Sequence, residues 1–266
     1  MNTAGLKKKI NQKYYAVFAG LILVLVLAGI LALCVGRYWV PFPDVVKVLL
    51  SRVFSVSGSW DANTESVVMT LRLPRVAAAV LVGGSLALSG AVYQGVFQNP
   101  LVAPDLLGVS SGACIGAALA ILFSVGTFGV QAGAFIGGII AVMITTAIPR
   151  IIKNNSNMML VLAGIIVTGL MNSIMGIIKY IADPETQLAE ITYWQMGSIA
   201  KVLPNSLLMI CPAVLISTVV LMAMRWRINV LSLGETEAKS LGITIKTTRM
   251  IVIVCATLLT ACSVCI

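Results

Sequence analysis

Histidine is absent from the 266 residues, and charged side chains are scarce: 18 Lys and Arg and nine Asp and Glu make up 10% of the chain. Without histidine there is no H-E-x-x-H zinc site and no base for a serine-type hydrolase, since both chemistries need that side chain at a fixed place. No G-x-x-x-x-G-K-[ST] stretch occurs either, so the chain has no P-loop with which to cradle nucleotide phosphates. Cysteine is thin and scattered, at Cys34, Cys114, Cys211, Cys255, Cys262 and Cys265, all in or beside apolar runs, which implies no disulfide framework. Cys262 and Cys265 share a helix face as C-x-x-C, but no histidine or second pair completes a ligand set, so no metal is assigned.

What is abundant is apolar. The chain is 59% hydrophobic, against roughly 45–50% in soluble domains, and its apolar stretches recur at the ~20-residue length of a bilayer span. The reading is an all-α, polytopic membrane helix bundle forming one transmembrane domain over residues 1–266. About seven spans are present: Tyr14–Gly36, Val68–Phe97, Gly108–Phe123, Phe128–Ile148, Met158–Tyr180, Pro204–Met224, and a seventh from Met250 that the sequence leaves at Ile266. Pro74 falls in the first turns of the second span, where a missing N–H is tolerated. Gly129, Gly133 and Gly137 stand at spacing four in the fourth span, a stripe that lets a neighbouring backbone approach closely. Between the spans, Asp44–Phe54 has the period of an amphipathic interfacial helix, with Val45, Val46, Leu49, Leu50 and Val53 opposite Lys47 and Arg52. Ser55–Thr64 reads as a polar loop and residues 149–157 as a basic turn.

The net charge of +9 is explained by membrane topology without nucleic acid, because Lys and Arg accumulate in cytoplasmic loops. With the N-terminus cytoplasmic, inner segments hold eleven basic residues and outer segments seven. Arg72 and Arg75 are among the seven, held on the disfavoured side at i and i+3, where they share a helix face. Paired guanidiniums suit carboxylates on a docking partner or lipid headgroups. On the inner side, Ser232-Leu233-Gly234-Glu235 has the spacing of a capping box and Gly242 that of a helix stop, enclosing a short helix with Ala238 and Leu241 on its apolar face. Thr168, Asn172 and Ser173 are polar groups within the fifth span, where such residues face a bundle interior, another helix or a water-filled path.

Several of these motifs fall together in one order: Leu71-Arg72-Leu73-Pro74-Arg75, Leu88-Ser89-Gly90-Ala91, Gln98-Asn99-Pro100-Leu101, and Leu107-Gly108-Val109. In that order the chain resembles the FecCD-type permeases, membrane subunits of ATP-driven importers for ferric siderophores, haem and cobalamin. The likeness runs to the last residue, and Gly234, Glu235, Ala238, Leu241 and Gly242 match the family's Gly-Glu-x-x-Ala-x-x-Leu-Gly coupling helix. The resemblance implies ten spans, three beyond those present; a homodimer or paralogous dimer; and a prokaryotic cytoplasmic membrane. It implies that Arg72 and Arg75 dock an extracytoplasmic substrate-binding protein, and that the helix around Glu235 engages a separate ABC ATPase that consumes the ATP. It also implies that the fifth span, with Thr168, Asn172 and Ser173, lines the path. The permease itself would carry no cofactor and do no covalent chemistry, and iron-siderophore uptake is the default cargo. The rival is an ion-coupled secondary transporter. That class needs in-membrane acids or broken helices for its ion, and all nine acids here lie in loops or at span ends.

Overall fold

The computed structural model describes residues 3–51, 61–100, 102–153, 156–202 and 204–265. The described residues form helices throughout, and their contacts gather in two compact units, Met1–Ala77 and Ala78–Ile266. Among the described residues, six helices are long and apolar enough to cross a bilayer. The third expected span is the exception: α5, Val109–Leu122, has 14 residues. At 1.5 Å per residue it covers about 21 Å, short of a ~30 Å hydrocarbon core.

The first unit begins with α1, Thr3–Cys34. From Gln12 to Ala28 its side chains are exposed; Ile30 is half-buried, and Leu33 and Cys34 are buried. Helix α2, Phe42–Ser51, keeps Val45 and Val48 buried and pairs Lys47 with Asp44 at 3.6 Å. The amphipathic reading holds in part: Val45 is buried and Val46 and Leu49 half-buried, but Leu50 is exposed and Val48 is buried instead, while Arg52, Val53 and Phe54 lie outside the described residues. Of the expected polar loop Ser55–Thr64, residues 55–60 lie outside the described residues, and Ala62–Thr64 are helical. Asp61 accepts the Asn63 N–H, and this cap starts a helix, α3, at Ala62–Ser66.

A π-helical stretch, Val67–Arg72, then leads directly into α4, Leu73–Phe97. Pro74 is therefore not near a helix start, as expected, but well inside a continuous helical rod from Asn63 to Phe97. In an α-helix its ring would clash with the carbonyl four residues back, and its missing N–H would leave that carbonyl unpaired. The wider turn just ahead, closed by Leu73 N–H to the Val68 carbonyl, gives the ring room that an α turn lacks.

The second unit is built on α5 and α6, Gly126–Ile151. Gly112 and Gly116 of α5 face Gly133 and Gly137 of α6 so closely that a Cβ on any of the four would meet the opposing backbone or its neighbours. The predicted stripe is real at two of its three positions. Gly129 instead lies over Val125, in its own first turn. Helix α6 also continues through Pro149 to Ile151, where a turn was expected. The rest of the unit comprises α7 (Asn157–Ile181), α8 (Gln187–Met196), α9 (Pro204–Ala223), α10 (Arg225–Leu233), α11 (Glu235–Ser240) and α12 (Ile245–Val264). The residues after Arg225, read as a polar segment, are thus two short helices ahead of the last span.

Helix α12 is the most buried of the six long helices. Its hydroxyls meet those of α4 in a dry seam. Ser89 lies 2.8 Å from the Thr260 hydroxyl and donates to the Ala256 carbonyl at 3.0 Å, and Tyr93 lies 2.9 Å from the Thr257 hydroxyl. Every one of these side chains is buried, and each hydroxyl is partnered there, Thr260 also donating to the Ala256 carbonyl of its own helix at 3.0 Å. Cys262 in the same helix and Cys265 just past its end are buried with their thiols free.

Candidate functional site

The expected docking pair is divided by the geometry. Arg75 is exposed. Arg72 is 9% exposed, and its guanidinium is spent on backbone carbonyls: Leu33 at 2.7 Å, Cys34 at 2.9 Å, and Tyr38. Two of these carbonyls close α1, where the last four have no partner within the helix and the dipole is negative. A planar, permanently charged fork satisfies them together. Gly36 makes the approach possible, because a Cβ there would lie 2.6 Å from an Arg72 terminal nitrogen. In this conformation the Arg72 side chain turns inward as a cap for α1, and Arg75 is the exposed arginine of the pair. Sequence spacing placed both on one helix face, but it could not show that the end of α1 comes within reach of only one.

At the other end of α4, Gln98 adopts a left-handed conformation, φ 54°. Asn99 N–H bonds to the Gln94 carbonyl and Gln98 N–H to the Gly95 carbonyl, so the helix closes as a Schellman turn. The Gln98 amide then donates to the Leu231 carbonyl of α10 at 2.8 Å. The following turn lodges against α6 and α7. Thr145 donates to the Leu107 carbonyl at 3.0 Å, and Gly164 leaves room for the Leu106 carbonyl. Gly108, φ 76°, would bring a Cβ to 3.1 Å from the Thr168 hydroxyl. Asp105 accepts the Ser110 N–H at 2.8 Å, placing a carboxylate at the positive end of α5. Gly90 gives Pro104 its seat, at 3.4 Å. Thus Ser89, Gly90, Gln98 and Gly108, singled out in the sequence as motif residues, are the points where helices and turns are pinned.

Helix α11 is a rigid knob. Gly234 opens it at φ 146°, ψ 158°, backbone angles suited to glycine. Its far end is a complete Schellman motif: Ile243 N–H to the Ala238 carbonyl at 2.9 Å, Gly242 N–H to the Lys239 carbonyl at 3.0 Å, and Gly242 at φ 76°. Ala238 and Ile243 pack against Val230 and Leu231 of α10. The Glu235 carboxylate accepts from Arg249 of α12 at 2.6 Å. Two expectations change here. Ser232 does not cap α11; it ends α10, with its hydroxyl donating to the Asn229 carbonyl, so the capping box does not form. Leu241 does not share the packed face with Ala238 but is 55% exposed, because the chain turns at Gly242 before a further helical turn can bury it.

The three polar residues of α7 split as well. Thr168 is half-buried against the Gly108 turn, whereas Asn172 and Ser173 are exposed, Ser173 donating to the Gly169 carbonyl of its own helix. They share their exposed side with Ile165, Ile166, Leu170 and Ile177. Among the described residues no cluster of three metal-ligating side chains occurs.

Among the described residues, six helices long and apolar enough to cross a bilayer, the shorter apolar helix α5, a pinned turn and a capped loop knob make up a multi-pass helical membrane bundle. The chain belongs to the FecCD transport family, whose pattern matches residues 23–266. It is 35% identical over 255 residues to the molybdate import system permease MolB of Haemophilus influenzae, covering 96% of this chain and 75% of that protein. It is 30% identical over 264 residues to the vitamin B12 import system permease BtuC of Yersinia pseudotuberculosis, covering 97% and 73%. A metal-chelate type ABC transporter solved in an inward-facing conformation superposes with a TM-score of 0.81 at 35% identity, covering 95% of this chain and 76% of that one. The chain is accordingly the permease subunit of an ABC importer.

Proposed function

We propose that the chain carries a metal chelate, a ferric siderophore by preference, across a prokaryotic cytoplasmic membrane with its N-terminus inside. An extracytoplasmic binding protein docks at the rim bearing Arg75, and an ABC ATPase grips α11. A second permease copy or a paralogue completes the path, with Asn172 and Ser173 on the α7 face turned toward it. The observation that carries this reading is the wiring of α11. A knob closed at both ends by glycine turns is tied to α12 by Glu235–Arg249, and through α10 to α4 by Gln98. A push on α11 is therefore delivered to two spanning helices, as a nucleotide-driven subunit requires. The permease needs only two conformations close in free energy for its partners to bias.

The iron reading draws on a relative in Helicobacter pylori named for iron chelatin transport, 37% identical over 74% of this chain and 60% of that protein. A second reading, molybdate, has its own support in MolB, which matches over a longer stretch. Uptake of iron-55 siderophore and of molybdenum-99 molybdate should be compared in cells lacking their own permeases. Siderophore uptake that the Glu235→Arg variant abolishes supports the proposal. Uptake of molybdate alone would transfer the cargo to the second reading, and uptake indifferent to Glu235→Arg would contradict the coupling role.

A further inference from the structure

A cavity of about 780 Å³ opens between the end of α6, the start of α7, α11 and the start of α12. That volume is within the range of sites that enclose small ligands. Its walls carry Arg150, Lys153, Lys239, Lys246 and Arg249, with Glu235 the one acid among the residues lining it. Glu235 is already engaged by Arg249 at 2.6 Å, and the Arg249 Nε–H is buried without an acceptor. Four further cations therefore face the cavity with no carboxylate lining it to balance them, and one buried donor is open.

The floor is apolar. Leu160 and Ile253 are buried beneath the charged rim. Beside the rim, Ile151 and Ile152 are 78% and 55% exposed, interleaved with Arg150 and Lys153. Apolar side chains set among basic ones at the ends of spanning helices mark a membrane interface. Basic pockets between spans on the cytoplasmic side attract anionic headgroups, each cation adding about 1 kcal/mol near the surface. An acidic protein segment would satisfy the cations but leave the isoleucines and the apolar floor unused.

We propose that this cavity binds the phosphate of an anionic phospholipid, with the glycerol and first acyl carbons on Leu160 and Ile253 and the phosphate among Arg150, Lys153, Lys246 and Arg249. A lipid seated there touches α6, α7, α11 and α12 together and braces the knob against the bundle. The site is independent of the cargo, but it shares Glu235 and Lys239 with the knob that the ATPase is proposed to grip, and so rests on the proposed placement of α11 at the cytoplasmic side.

The test is retention of lipid by the purified, delipidated chain, read by native mass spectrometry. Palmitoyl-oleoyl phosphatidylglycerol is titrated against phosphatidylcholine with the same acyl chains, with sn-glycerol 1-phosphate as the headgroup alone. Phosphatidylglycerol should be retained in preference to phosphatidylcholine. The exposed pair Lys153→Gln and Lys246→Gln should weaken it about 25-fold, roughly five-fold per charge, with phosphatidylcholine unchanged. Lys47→Gln, on α2, should have no effect. Equal retention of the two lipids, an unaffected double variant, or an equal loss in Lys47→Gln would overturn the proposal. Full competition by glycerol phosphate at matched concentration would make the site one for small anions and would overturn it as well.

Discussion

Replacing Arg72 with alanine tests whether this arginine holds α1 in place. The substitution strands the carbonyls of Leu33, Cys34 and Tyr38, which the guanidinium now serves. A hydrogen bond to a charged group contributes about 1.5–3 kcal/mol, but three bonds from one side chain act as a unit and do not add. Water can reach part of the site once the side chain is gone, so the expected loss is about 3 kcal/mol. Arg72→Lys keeps the charge and loses the planar fork, and should cost about 1–2 kcal/mol. Arg75→Ala is the internal control: its side chain is exposed, and surface substitutions usually fall within about 0.5 kcal/mol. Equilibrium unfolding in mixed micelles of mild detergent and dodecyl sulfate, followed by tryptophan fluorescence, would rank the three. The reasoning is refuted if Arg72→Ala unfolds with the wild type, or if Arg75→Ala is as damaging as Arg72→Ala.

Gly137→Leu should abolish the close α5–α6 contact and prevent recovery of folded, monodisperse protein in size-exclusion chromatography, whereas Gly176→Leu, where nothing lies within 4 Å, should be recovered normally. Ser89→Ala removes the hydroxyl contacts to Thr260 and Ala256 and should lower unfolding stability by about 1–2 kcal/mol, with Ser89→Ala/Thr260→Ala costing less than the sum of the two single changes. Gly242→Ala places a Cβ at φ 76° and should destabilise α11 by about 1 kcal/mol, read as faster amide exchange from Glu235 to Ile243.

The spans were legible because their signal is local: a long apolar run must satisfy its backbone internally, and a helix does so. The Schellman stop at Gly242 was legible for the same reason. What misled was local grammar overruled by tertiary context. Ser232 has the spacing of a cap, yet α10 runs through it. Pro74 looked like a helix start because the π turn that accommodates it has no sequence signature. Arg72 and Arg75 are equivalent by spacing and become unlike only when the end of α1 arrives beside one of them. Arg249 belongs to no motif in the sequence, although it holds Glu235. The facing pair Gly112 and Gly116, at the same spacing of four as Gly133 and Gly137, could have been found by asking which second small-residue stripe the first must meet.

The account depends most on the knob and the arginine rim facing opposite sides of the membrane. In a background without native cysteines, Arg75→Cys and Lys239→Cys each offer an exposed position to a membrane-impermeant maleimide applied to intact cells. The account predicts that the cysteine at position 75 is labelled at once and the one at 239 only after the membrane is permeabilised. Labelling of both from outside, or of neither until permeabilisation, would contradict it.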